Sequence, residues 1–323
     1  MDNLAAQFPH LSRDIESYPG KSKDAIVVIP LFGREGNAHY VPSENMLQLA
    51  CYSLRSWILF SDARVHDISI KLYVENEILD RISSLLEKNS VDISSDVIVM
   101  NSEKLRGDPV THLGKSFSML SDSYFYDYSW VFSCDADLCI ASPRRTQLRF
   151  FEKIDMFSQN SIGCYGLSTS DLQDVISKGH WYGGLLLNST PGECILEWEK
   201  RANELLSEAE LAPYINSGIG DFITCGGFFT AYPIRNLHHH RSEDLDWLIR
   251  AGRLMQDDEC VISMWHQKKK EVFDISKNFD FNLAHSDTLS SLHEGTDPYL
   301  LHMANISVQD HKEILEHDMG VHL

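Results

Sequence analysis

"WVFSCDADLCIAS", residues 130–142, decides how this sequence reads. An apolar run from Trp130 to Cys134 stops at two aspartates separated by one alanine. The run has the length and composition of a buried strand. Asp135 and Asp137 stand at its end, and carboxylates are costly to desolvate unless they gain partners. If the chain stays extended there, both project to one side. Paired hard oxygen ligands suit Mn²⁺ or Mg²⁺, which also take diphosphate oxygens and water. The bland reading of such a pair is a solvated turn, and the apolar strand before it argues against that. Cys134 and Cys139 flank the pair and read as packing residues.

Outward from this stretch the chain alternates strands and helices. "AIVVIP" (25–30) is a β-branched run stopped by Pro30 and reads as a buried first strand. After Ser43, a candidate N-cap, apolar residues fall at Leu47, Ala50, Cys51, Leu54, Trp57 and Ile58, which is helical spacing. "ISIKLYV" (68–74) alternates as a strand. Residues 77–88 read as a helix with Asn76 as its cap, and "DVIVM" (96–100) as a third strand. A helix over 115–126 leads into the fourth strand at 129–134. This order implies right-handed βαβ units and a mostly parallel α/β sheet. Ligands of such sheets bind at the carboxyl ends of the strands, where Asp135 and Asp137 lie.

The second half is less regular. Helices are expected over 144–157, 191–208, 242–254 and 257–267, and a strand over 183–188. Gly226-Gly227 precedes the aromatic run "FFTAYPI". The tail from 268 reads as loop-rich, with His285, His293, His302 and His311. His238-His239-His240 reads as a polar loop, since adjacent side chains rarely converge on one ion. Residues 1–24 read as a loose arm. Residues 25–323 then form one domain, with a ligand-binding half at 25–142 and an elaborated half at 143–323.

The 323 residues are 43% hydrophobic and carry a formal charge of −19, with a sequence pI near 5.1. Such acidity argues against nucleic acid and anionic lipid surfaces as main partners. A nucleotide stays compatible, because a bound cation masks local carboxylates. The first twenty residues lack the regions of a signal peptide. No run reaches the ~18 apolar residues of a membrane span. The seven cysteines are odd in number, scattered and without a CxxC pair, which fits a reduced, cytoplasmic setting.

With those residues in place, "SWVFSCDADLCIASP" resembles the DxD segment of GT-A fold glycosyltransferases, which use nucleotide sugars. Further segments follow in that family's order. "VVIPLFGRE" resembles the nucleoside-binding start, which implies donor contacts from Pro30, Leu31 and Phe32. "THLGKSFSML" brings Lys115, implied to reach the donor phosphates or sugar. "HWYGGLLLNST" is similar to the acceptor-side strand, implying sugar contacts at Trp181, Gly183 and Gly184. "QDDECVISMW" resembles the acidic helix start at the reaction centre. "YLLHMAN" looks like the histidine segment that completes the metal site in retaining, glycogenin-like members. It departs from that group after His302, where Met303, Ala304, Asn305 and Ile306 stand in place of a glycine and then a lysine.

The resemblance implies a GT-A type α/β sheet and a metal-dependent transferase. Mn²⁺ or Mg²⁺ would be held by Asp137, Asp135 and His302, with Asp135 and Ala136 beside the donor, a UDP-sugar in particular. The acceptor would be a hydroxyl on a glycan, lipid or protein. Asp258 or Glu259 would sit beside the anomeric carbon, as a base in an inverting enzyme, or as stabiliser or nucleophile in a retaining one. Retention is favoured. Two rivals stand beside this. An aspartyl-phosphate phosphatase or phosphotransferase has its D-x-D after the first strand, with Thr or Val where Cys139 stands here. A nucleotide-sugar-binding module without catalysis would share the metal site but not turnover.

Overall fold

The computed structural model describes residues 24–31, 44–88, 96–99, 119–142, 147–177, 189–207, 210, 222–255, 257–278, 283–285 and 299–302. Its centre is a seven-stranded sheet in the order β10-β6-β9-β4-β1-β2-β3. The strands are β1 Ala25–Leu31, β2 Ser69–Val74, β3 Val97–Val99, β4 Trp130–Cys134, β6 Ile162–Cys164, β9 Phe229–Tyr232 and β10 Val272–Asp274. β1 pairs in parallel with β2 and β4, and β2 with β3. β9 runs antiparallel to both β4 and β6, while β10 is parallel to β6. Six strands therefore share one direction and β9 alone is reversed.

β1 shows why the sheet forms. Every residue of "AIVVIPL" is buried. Val27 and Ile29 face one core cluster and Ile26 and Val28 face the other. A strand covered on both faces needs a continuous apolar run rather than an alternating one. The first cluster is closed by α1 (Glu44–Phe60) and α2 (Asn76–Lys88). The second is closed by α4 (Pro191–Ala202), α6 (Ser242–Met255) and α7 (Asp258–Lys269). Among the described residues two short helices join them, α3 (Leu172–Ser177) and α5 (Ile234–His240).

Two small sheets hang on this frame. β5 (Leu138–Ala141) pairs antiparallel with β12 (Tyr299–His302), which runs parallel to β11 (Leu283–His285). β7 (Leu167–Ser170) and β8 (Phe222–Cys225) form an antiparallel ribbon.

Several expectations change. The segment from 268, expected to be loop-rich, contributes β10, β11 and β12. These strands are three or four residues long, too short to show a period. The helix expected over 144–157 is a 3₁₀ helix at Phe151–Met156. The Asp62 carboxylate fixes its start by accepting from the Phe150, Phe151 and Glu152 amides. The described end of the 115–126 helix stops short, because Asp122 breaks it. Asp122 accepts from the Tyr124 amide and caps a 3₁₀ turn at Ser123–Phe125. All seven cysteines are buried free thiols. No helix among the described residues is long and apolar enough to cross a membrane.

Candidate functional site

β4 delivers Asp135 to the carboxyl edge of the sheet, where the chain turns rather than staying extended. The Leu138 amide donates to the Asp135 carbonyl at 3.1 Å. This turn sends the chain into β5. The α1 helix anchors that strand: the Ser53 hydroxyl and the Trp57 indole N–H both donate to the Leu138 carbonyl, at 2.7 and 3.3 Å. The Ile140 amide donates to the Ser56 hydroxyl at 2.9 Å. So Ser53, Ser56 and Trp57 on one face of α1 anchor the strand that follows the aspartates.

β5 then recruits the third residue. In the β5–β12 register Leu138 faces His302, one residue from Asp137. His302 Nε2 lies 3.7 Å from Asp137 Oδ1. Ligand atoms of Asp135, Asp137 and His302 all fall within 4.8 Å of one another. An octahedral cation at about 2.1 Å from its ligands places them about 3–4.2 Å apart. The set therefore fits a divalent cation after a small contraction. Two carboxylates and an imidazole are a donor set for Mn²⁺ more than for Mg²⁺. Cys134 and Cys139 do not join it. Burial pushes both thiols well above their ordinary range, and thiols rather than thiolates are poor ligands.

The other side of the site is built by the β8–β9 turn, Gly226-Gly227-Phe228. The Asp135 amide donates to the Phe228 carbonyl at 2.9 Å. The Phe228 ring lies nearly parallel to the His302 imidazole, centroids 5.0 Å apart. Both glycines are required by close approach. A Cβ on Gly226 would lie 2.2 Å from the Tyr165 carbonyl oxygen, and one on Gly227 would lie 2.6 Å from Glu259 Cγ. The Gly227 amide donates to Glu259 Oε1 at 3.1 Å.

Glu259 stands in the first turn of α7. That helix starts at Asp257, whose side chain accepts from the Cys260 amide at 2.8 Å. It is joined to β8 by Ser263, which accepts from the Cys225 amide at 3.0 Å. The acidic helix start and the D-x-D segment are thus brought to one turn of chain. Asp258 is buried at 6% exposure.

The remaining sequence-predicted residues divide cleanly. Pro30 and Leu31 end β1, buried, beside the end of β4. Ala136 is buried between the two aspartates. Phe32, Lys115, Trp181, Gly183 and Gly184 lie outside the described residues. His238, His239 and His240 form the last turn of α5 rather than a loop. His238 stacks on Tyr126, and the Arg235 amide donates to Tyr128. That places α5 at the amino end of β4, the far edge from the aspartates.

The stacking of Phe228 on the His302 imidazole has no local signal in the sequence. The Gly226-Gly227 pair before an aromatic run was the signal that could have found this turn.

No family model and no curated protein matches the chain. Solved structures give looser likenesses. Mouse xyloside xylosyltransferase 1, in its apo form, is 14% identical, with 88% of this chain and 98% of that chain covered and a TM-score of 0.44. The S. cerevisiae mannosyltransferase Ktr4p is 8% identical over 79% of this chain and 72% of that one, at 0.40. Core-mannan synthase A from Aspergillus fumigatus, in a Mn/GDP form, is 10% identical over 77% and 72%, at 0.38. The geometry of this chain's own residues carries the reading of its site.

Proposed function

We propose that the protein is a metal-dependent GT-A type glycosyltransferase that moves a sugar from a nucleotide-sugar donor, a UDP-sugar in particular, to a hydroxyl acceptor. The observation that carries this is the convergence of Asp135, Asp137 and His302 at the carboxyl edge of β4, where parallel α/β sheets bind ligands. Asp137 and His302 would hold Mn²⁺, with Asp135 completing the set or meeting the donor ribose. When bound, the cation would offset the charge of the departing diphosphate.

The chain's own residues would do the rest. Pro30 and Leu31, at the end of the neighbouring strand, would meet the nucleoside, and Lys115 would add a point cation beside the phosphates. Fixed donors and charges aimed at the leaving group supply most of such a rate enhancement. A carboxylate from the start of α7 would face the anomeric carbon. Retention of configuration is the stereochemical form of the proposal, and an inverted product by NMR would overturn that half.

The test is nucleotide release from a panel of UDP-, GDP- and CMP-sugars, with and without acceptor sugars, in Mn²⁺ or in EDTA. Mn²⁺-dependent release from one donor, lost in Asp137→Ala, is the expected result. No Mn²⁺-dependent binding of any nucleotide sugar would sink the reading. Hydrolysis of p-nitrophenyl phosphate in its place would move the site to phosphoryl transfer.

A further inference from the structure

We propose that Glu259 is a positioning residue, which holds Asp135 and His302 of the metal-site set in place through the Gly227–Phe228 turn rather than reacting itself. The inference deepens the metal-site reading and rests on it only for what the set binds.

The geometry forms a strut. Glu259 is fixed at its backbone by the capped first turn of α7 and by the Ser263 link to β8. Its Oε1 accepts the Gly227 N–H at 3.1 Å. Its Cγ fills the space that a Gly227 side chain would need. The carboxylate therefore sets both the height and the rotation of the turn. The next residue passes this on twice. The Phe228 carbonyl takes the Asp135 amide, and the Phe228 ring sets the plane of the His302 imidazole at 21° to its own.

The two contacts reach ligands on different sheets. Asp135 follows β4 of the large sheet, and His302 ends β12 of the small one. Leu138 fixes the backbone of His302 by strand pairing, and pairing by itself does not set the rotation of the ring. Phe228 supplies what pairing does not. Groups that orient metal ligands from behind typically change metal affinity about 10–100-fold when removed.

The experiment compares Glu259→Ala with Glu259→Gln in the metal-free full chain by NMR. Two lines are followed: the Asp135 amide and the His302 ring Hε1, the latter assigned from its loss in His302→Ala. Both lines move in the alanine variant. Both return in the glutamine variant, whose side-chain carbonyl accepts the same N–H. Mn²⁺ affinity follows the same pattern, falling about tenfold in alanine and recovering in glutamine. Phe228→Leu keeps the backbone contact and moves the His302 line alone, which secures the test if the alanine variant folds poorly.

Unmoved lines in Glu259→Ala would overturn the proposal. So would a glutamine variant with wild-type lines and Mn²⁺ affinity but turnover as low as alanine, since that marks a reacting carboxylate. If wild type binds no Mn²⁺ while the lines behave as described, the strut stands and only the metal reading falls.

Discussion

Asp274 and Asp137 invite a direct comparison. Both stand at the carboxyl edge, one ending β10 and one in the turn after β4. Both are largely buried. The Asp274 carboxylate is consumed by the protein. Oδ1 accepts from the Gly166 amide at 3.0 Å, the Ser276 amide at 2.9 Å and the Ser276 hydroxyl at 2.6 Å, and Oδ2 from the Leu167 amide at 3.3 Å. Asp137 Oδ1 faces an imidazole nitrogen at 3.7 Å, beyond a normal hydrogen bond and suited to sharing a cation. Position at a strand end does not make a carboxylate functional. What surrounds its oxygens does: backbone donors make a structural cap, and convergent ligand atoms make a binding site.

The comparison breaks most sharply on metal binding. Asp137→Ala is expected to weaken Mn²⁺ binding by at least about 100-fold by calorimetry, while metal-free stability moves by less than about 1 kcal/mol. Asp274→Ala does the reverse. Its loss strands backbone donors and costs about 2–4 kcal/mol in urea unfolding at pH 7, with Mn²⁺ affinity close to wild type. Equal Mn²⁺ losses in the two variants would erase the distinction.

The Asp274 effect also carries a pH signature. Burial pushes this carboxyl up, but the bonds from Ser276, Gly166 and Leu167 outweigh it and hold it below the ordinary carboxylate range. A group whose folded value is depressed contributes its stability above the unfolded value, about 3.9. That contribution fades as pH falls through the folded value. The gap between wild type and Asp274→Ala is therefore full at pH 7 and shrinks below about pH 4. A gap unchanged at pH 2.5 would place the effect in packing.

The same contrast explains what the sequence could and could not show. β1 and β4 were legible because each is a run of apolar residues, and burial on both faces demands such runs; β2 was legible because it alternates. Asp135 and Asp137 were legible because two charges after such a run have few structural reasons to be there. His302 was legible only through a resemblance, since "YLLH" is four residues long. Its partnership with Asp137 depends on β12 pairing with β5, more than 150 positions away in sequence. Long-range pairing of short strands leaves no periodic trace. The Phe228 contact has the same origin. Asp274 shows the converse: nothing local announces that Gly166 and Leu167, over 100 residues earlier, donate to it.

Two further variants ask which side of the site holds it: the α1 side, legible in sequence, or the β8–β9 side, which was not. Gly227→Ala forces Cβ to 2.6 Å from Glu259 Cγ, and overpacking of this kind costs about 1–3 kcal/mol. Because the displaced turn carries the Asp135 and His302 contacts, Mn²⁺ affinity is expected to fall with stability.

Ser53→Ala is the gentler probe of the α1 side. The hydroxyl is fully buried and donates to the Leu138 carbonyl at 2.7 Å. Deleting it does not strand that acceptor, because the Trp57 N–H reaches the same oxygen at 3.3 Å. The small hole left by one oxygen adds little. The cost is therefore that of one neutral hydrogen bond, about 1 kcal/mol, read as a shift in urea midpoint with unchanged slope. Mn²⁺ affinity should stay within about twofold, since strand pairing with His302 still holds Leu138. A loss of Mn²⁺ affinity larger than that of Gly227→Ala would reverse the assignment, making α1 rather than the glycine turn the element that sets the spacing of the aspartates.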